Sequence, residues 1–226
     1  MAKAYSGLGQ ETGGANHPGV NDIDQFGHDL GHEERTKWLM ENLGVSRSLA
    51  ESANSAIYDY TLDAYDVIHS GEDDRGLTID DIIHNPNAPV YTGAQYRGLF
   101  ITQDGLDEFT GGGMTPREYL ENILKTGVWK EPGVSSFSAS QGVAMNFGKF
   151  NNSWKEKDSV SVMLHYTNGK SGMPIKHLSQ IPGEDEILHS GEQMREGMDI
   201  AEFRWYNGPK GLELHITVTD KPVKRR

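Results

Sequence analysis

The sequence predicts an α+β fold, and three observations carry the prediction. Apolar residues recur at three- and four-residue steps in the N-terminal third and again in one later segment. Period-two alternation dominates the second half, and glycine-bearing loops separate the short alternating runs. Helices that come first and strands that come later argue against a regularly wound parallel sheet, which would interleave the two.

Residues 1–31 are rich in Gly, Asn, Asp and His without a sustained period and read as a loose arm; 32–226 read as one domain. Its helical part covers about 32–90. There a short helix is expected over Glu33–Leu43, with Trp38, Leu39 and Leu43 on one side. A longer one follows from Ser48 to about His69, where Leu49, Ala53, Ile57, Tyr60, Ala64 and Ile68 share a face. Ser48 with Glu51 forms a capping box and Gly71 is the stop. The β-rich part covers about 91–220 and includes a helix over Pro116–Lys125, with Thr115 as cap, Glu118 completing the box and Gly127 ending it. Strands are predicted at Gln95–Ile101, Val134–Ser138, Ser159–Tyr166, Glu186–His189 and Leu212–Val218. In the last, Leu212, Leu214, Ile216 and Val218 alternate with polar neighbours, as a half-buried strand requires.

Composition removes several function classes. A chain of 226 residues with 35% hydrophobic and 24% charged residues buries a substantial core. No run approaches the roughly 20 apolar residues that cross a bilayer, and no membrane partner is expected. MAKAYSGLGQETGG lacks the charged and apolar regions of a secretory leader. With no Cys there is neither a disulfide framework nor a thiol nucleophile. A net charge of −12 argues against nonspecific nucleic-acid binding, which relies on neutralising phosphates. His28 and His32 sit at a helical metal spacing without a third ligand, and the acidic run Glu72–Asp74 lacks the alternation of a calcium loop, so no metal is expected.

Three short motifs remain. Tyr96-Arg97-Gly98 lies in an apolar strand, where a buried arginine needs a partner: a phosphate, or more commonly a nearby carboxylate. Gly98 permits close approach to the backbone. Ser136-Phe137-Ser138-Ala139-Ser140 places Ser138 and Ser140 on one side of an extended segment, ahead of a helical turn with Val143, Ala144 and Phe147. Pro182-Gly183-Glu184-Asp185-Glu186 turns into a strand and puts Glu184 and Glu186 on one face, where paired carboxylates can divide labour. Each is weak alone.

In this order the motifs resemble those of the arginine-specific ADP-ribosyltransferases, and among them the phage enzymes that modify host proteins. The resemblance spans about Tyr91 to Asp220 and departs from the pattern at Ala139, where the family carries a middle hydroxyl. It implies two small packed antiparallel or mixed sheets around an NAD cleft, with a helical lead-in. It implies NAD as substrate, without a metal, and a macromolecular acceptor, expected to be an arginine of a host protein; a nucleic-acid acceptor stays open. By resemblance Glu186 holds the ribose and supports the oxocarbenium ion, and Glu184 deprotonates the acceptor. Arg97 grips the phosphates, Gly98 holds the nicotinamide amide through its backbone, Ser138 positions Glu186, and Ser140 supports the ribose pocket. Phe150 or Trp154 stacks on the nicotinamide ring, and the segment from Asn168 to Pro182 is a mobile acceptor loop. The implied location is the cytoplasm of a target or host cell, reached in some cases by packaging in a virion. Two alternatives remain: a non-catalytic structural protein retaining the fold, and an NAD glycohydrolase.

Overall fold

The computed structural model describes residues 31–152, 158–167, 169–208 and 211–220. Four helices lead: α1 (His32–Leu43), α2 (Arg47–Leu62), α3 (Tyr65–His69) and α4 (Asp74–Ile83). The helix predicted from Ser48 to about His69 is divided. Its cap is Ser46, whose hydroxyl accepts from Leu49 N–H, and Glu51 instead pairs with Arg47. At the other end Ala64 N–H reaches back five residues to the Asp59 carbonyl, a wide turn that ends α2 and re-aims Tyr65. Ile57 and Tyr60 before the break and Ala64 and Ile68 after it are all buried, so the apolar period runs through it unchanged.

Then follow β1 (Gln95–Ile101), α5 (Gln103–Thr110), α6 (Pro116–Thr126), β2 (Val128–Trp129), β3 (Ser135–Ser138), α7 (Gln141–Phe147) and β4 (Val160–Tyr166). The chain closes with β5 (Met173–Pro174), a 3-10 turn at Pro182–Glu184, β6 (Glu186–His189), α8 (Gly191–Glu196), β7 (Met198–Gly208) and β8 (Gly211–Thr219). The capping box of Thr115 and Glu118 and the left-handed Gly127 bound α6 as the sequence predicts. β7 escapes the sequence pattern because beyond Asp199 its one strand partner among the described residues is β8. Residues 201–204 are all exposed, so neither face demands apolar side chains.

All eight strands form one mixed sheet, in the order β2-β7-β8-β4-β1-β3-β6-β5. The two expected sheets are two limbs of it, joined at a single registered pair, Tyr96 with Ser138. Each limb has its own core. α1, α2 and α4 pack Leu39, Ile57, Ile79 and Ile82 with Met173, Ile175, Leu178 and Leu188 of the β6 limb. Leu120 of α6 packs with Val162, Leu164, Leu214, Ile216 and Val218 of the larger limb. β4 explains its own apolar run, because it is paired on both edges, antiparallel to β1 and parallel to β8.

The described part of the segment from Asn168 to Pro182 is anchored rather than loose. Met173 and Pro174 pair with β6, Ile175 N–H bonds the Glu186 carbonyl, and Ile175 and Leu178 are fully buried. Its glycines punctuate a packed hairpin: a side chain at Gly172 would stand 2.6 Å from Ile187.

Candidate active site

An antiparallel ladder between β1 and β3 would continue from Tyr96–Ser138 to oppose Gly98 with Ser136. Instead the strands part, and the gap becomes a cleft of about 520 Å³, open to solvent. Arg97, Gly98, Ser136 and Ser138 line it from the two strands, Tyr65 from α3, Phe147 from α7, and Glu184 and Glu186 from the entry to β6. Three segments remote in sequence thus meet at one site.

Gly98 has a different immediate neighbour from the one expected. A Cβ there would stand 1.7 Å from the Ala144 carbonyl oxygen, so the bare backbone admits α7 against β1. Gly98 also lines the cleft, but the close approach that requires a glycine is the helix's.

Arg97 is 6% exposed and heavily engaged. Its Nε and Nη2 donate to the two carboxylate oxygens of Glu131 at 2.9 and 2.7 Å. Nη1 donates to the Ser136 carbonyl at 2.6 Å, and Nη2 donates again, to the Tyr65 hydroxyl, at 2.6 Å. These bonds take four of the five guanidinium N–H groups. Arg97 therefore has one N–H left for a ligand, on Nη1, and its fork is spent on protein. Glu131 also accepts from Trp129 Nε1 at 2.9 Å and Ser135 Oγ at 2.8 Å. Burial alone would raise its pKa, but the Arg97 charge, joined by His69 and the Trp129 and Ser135 hydrogen bonds, holds it at about 2. Burial likewise disfavours the Arg97 cation, and Glu131 together with Tyr65 and Tyr60 more than reverses that. A carboxylate partner was expected in kind; nothing in Trp129-Lys130-Glu131-Pro132 marked which residue it is.

The serines divide their work differently from the resemblance. Ser138 Oγ donates to the Glu184 carbonyl at 2.6 Å and accepts from Ser140 N–H at 2.9 Å. It fixes the backbone carrying Glu184 rather than the carboxylate of Glu186. Ser140 falls outside β3, because the strand ends at Ser138; its hydroxyl caps α7 by accepting from Val143 N–H at 3.4 Å. Ser136 shares the Ser138 face of β3, and its hydroxyl is among the groups that favour ionised Glu186.

Glu184 ends the 3-10 turn, Asp185 adopts the left-handed region with φ 47°, and Glu186 opens β6. This kink, rather than plain strand alternation, turns both glutamates to the cleft while Asp185 pairs with Lys176 at 2.8 Å. Glu186 is 6% exposed, and its Oε2 has no hydrogen-bond partner. Burial, then repulsion from Glu184, pushes its pKa up to about 8, while Ser136, Arg97 and Ser179 pull the other way. Burial pushes Glu184 up to about 7. A buried carboxyl with one unpartnered oxygen beside a second carboxyl fits a cationic group placed between them, and a pKa near 7 suits a general base.

Phe150 lies outside the cleft lining. It is buried with Ala144 and Met163 and meets His215 edge-on at 5.5 Å, so among the described residues of that region Phe147 is the aromatic that reaches the cleft. Trp154, His28 and nearly all of the N-terminal arm lie outside the described residues. No helix among the described residues is long and apolar enough to cross a membrane.

No protein-family profile matches the chain, and no curated protein matches it. Solved structures do. The Vis toxin, an ADP-ribosyltransferase from Vibrio splendidus, superposes with a TM-score of 0.52 at 16% identity, over 93% of this chain and 90% of that one. Vis in complex with agmatine gives 0.51 at 16% identity, over 91% and 92%. The Clostridium limosum C3 exoenzyme gives 0.51 at 17% identity, over 89% and 100%. At such identities the likeness establishes architecture, and the architecture is the α+β fold of the ADP-ribosyltransferases.

Proposed function

We propose that this chain is a mono-ADP-ribosyltransferase that cleaves NAD and transfers ADP-ribose to an arginine side chain of a protein. The observation that carries the reading is the pair Glu184 and Glu186, both turned into the cleft that Arg97, Gly98, Ser136 and Ser138 also line.

The chemistry follows from the two carboxyls. Heterolysis of the bond between nicotinamide and ribose sends the bonding electrons to the nicotinamide nitrogen and leaves an oxocarbenium ion on the sugar. A carboxylate beside that carbon stabilises the charge as it develops, and Glu186, whose Oε2 is buried without a hydrogen-bond partner, is the group we assign to this. A guanidinium nitrogen then bonds to the anomeric carbon and loses a proton, which Glu184 accepts. Cationic nicotinamide and guanidinium both favour the ionised carboxyls, so binding offsets the burial that holds them neutral. That one solved neighbour carries agmatine, a small guanidine, lends weight to this acceptor class. Such an enzyme would act in the cytoplasm of a target cell, and a host protein is the acceptor we favour.

The test is incubation of the purified chain with labelled NAD and lysate, followed by mass spectrometry of the modified residue. ADP-ribose on arginine, lost in Glu186→Gln, is the expected result. Free ADP-ribose without bound label would make the chain a glycohydrolase, and neither product would refute enzymatic turnover.

A further inference from the structure

The same cleft contains a hydrogen-bond donor that no motif marks, and the inference drawn from it rests on NAD being the ligand. Tyr65 comes from the helical lead-in and lines the cleft. Its ring stacks on His69, with centroids 5.1 Å apart and planes 12° from parallel, and Tyr60 tilts against it at 5.2 Å. Its oxygen accepts from Arg97 Nη2 at 2.6 Å. Arg97 is itself fixed by two bonds to Glu131 and one to the Ser136 carbonyl. Glu131 is fixed in turn by Trp129 and Ser135.

A phenol whose oxygen is occupied by a cationic donor keeps its O–H to give, and the adjacent charge polarises that bond. We infer that Tyr65 donates a hydrogen bond to an oxygen of the bound dinucleotide, and that Arg97 and Glu131 are positioning residues which hold it there. Glu131 fixes the guanidinium, the guanidinium orients the phenol, and the phenol touches the ligand. The helical lead-in thereby contributes to the site as well as to the core. This gives Arg97 a task that its engaged fork can perform, since one N–H is little with which to clasp a diphosphate. Ring clamping by His69 and Tyr60 means that little rotamer freedom remains to be lost on binding.

The experiment measures NAD affinity by calorimetry, together with NAD turnover, for wild type, Tyr65→Phe, Glu131→Gln and the double variant. Each variant's melting temperature is recorded, with Tyr119→Phe as a tyrosine control outside the cleft. Tyr65→Phe leaves the Arg97–Glu131 pair intact, so it is expected to keep its fold and bind NAD about tenfold more weakly, the loss of one hydrogen bond. Glu131→Gln is expected to weaken binding through the same phenol, so the double variant should lose no more than the worse single one. Wild-type affinity in Tyr65→Phe, or strictly additive losses in the double variant, would overturn the assignment. Should the wild-type chain itself bind no NAD, the proposed function falls, and this inference falls with it; that outcome is distinct from a wild type that binds beside an indifferent Tyr65→Phe. If Glu131→Gln does not fold, the Tyr65→Phe affinity alone decides.

Discussion

Replacing Glu186 by Gln should stabilise the ligand-free protein, and the gain should grow as pH rises from about 5 to 8. The folded state holds this carboxyl at about 8 against an ordinary 4.5, chiefly through burial and secondarily through Glu184. A group whose folded pKa is raised supports the fold fully below its unfolded pKa, and that support drains away as pH climbs through the folded value. At about 1.4 kcal/mol for each tenfold change in proton affinity, the ceiling on the loss between pH 4.5 and 8 is about 5 kcal/mol. Glutamine has the same shape and never ionises. The two proteins should therefore melt together at pH 5 and separate progressively to pH 9. With about 2–4 °C for each kcal/mol in a chain of this size, the separation at pH 9 should be roughly 10 °C. Calorimetric melts at five pH values between 5 and 9 provide the assay. Parallel curves for the two proteins would show that Glu186 is solvated and ionised in the folded state, and the account of a buried cation-seeking carboxyl would be wrong.

Four further outcomes follow from the geometry. Glu131→Ala leaves the Arg97 cation buried without its partner and should cost about 3–5 kcal/mol in denaturant titration. Wild-type stability should also decline in acid as pH drops from 4.5 toward 2, because the folded pKa of Glu131 is depressed and its contribution is present only above that window. Gly98→Ala drives a methyl group into the Ala144 carbonyl; a loss of about 1–3 kcal/mol is expected, and a melting temperature equal to wild type would show that α7 has room to retreat. Glu184→Gln should retain NAD cleavage and lose transfer to agmatine, which chromatography of free and guanidine-bound ADP-ribose separates.

The sequence made the later helix and most of the strands legible because their signals are local: a capping box and a left-handed glycine bound α6, and alternation runs through β8. The three motifs identified the segments that meet at the cleft. The contacts inside it were less visible. Glu131 is distant from Arg97 in the chain, and its tetrapeptide resembles any turn, so only the fold discloses the pair. Alternation puts Ser138 and Ser140 on one strand face, but the strand ends at Ser138 and the second hydroxyl turns to the helix N-terminus. Phe150 sits in the apolar cluster around Met163, where a ring satisfies packing and a stacking role alike on sequence alone. The apolar period predicts one uninterrupted helix through Tyr65, and the break at Asp63 is what swings it to the cleft.

A sheet normally ends where its strands run out, but here it comes undone in the middle, after one shared rung between Tyr96 and Ser138. Beyond that rung the two strands border the cleft that Glu184 and Glu186 also line. A guest lodged there would touch both strands, tying the two limbs more firmly than the empty protein does. Amide exchange along β1 and β3 should accordingly slow when the cleft fills, while β4 and β8, sewn together along their whole length, should scarcely change.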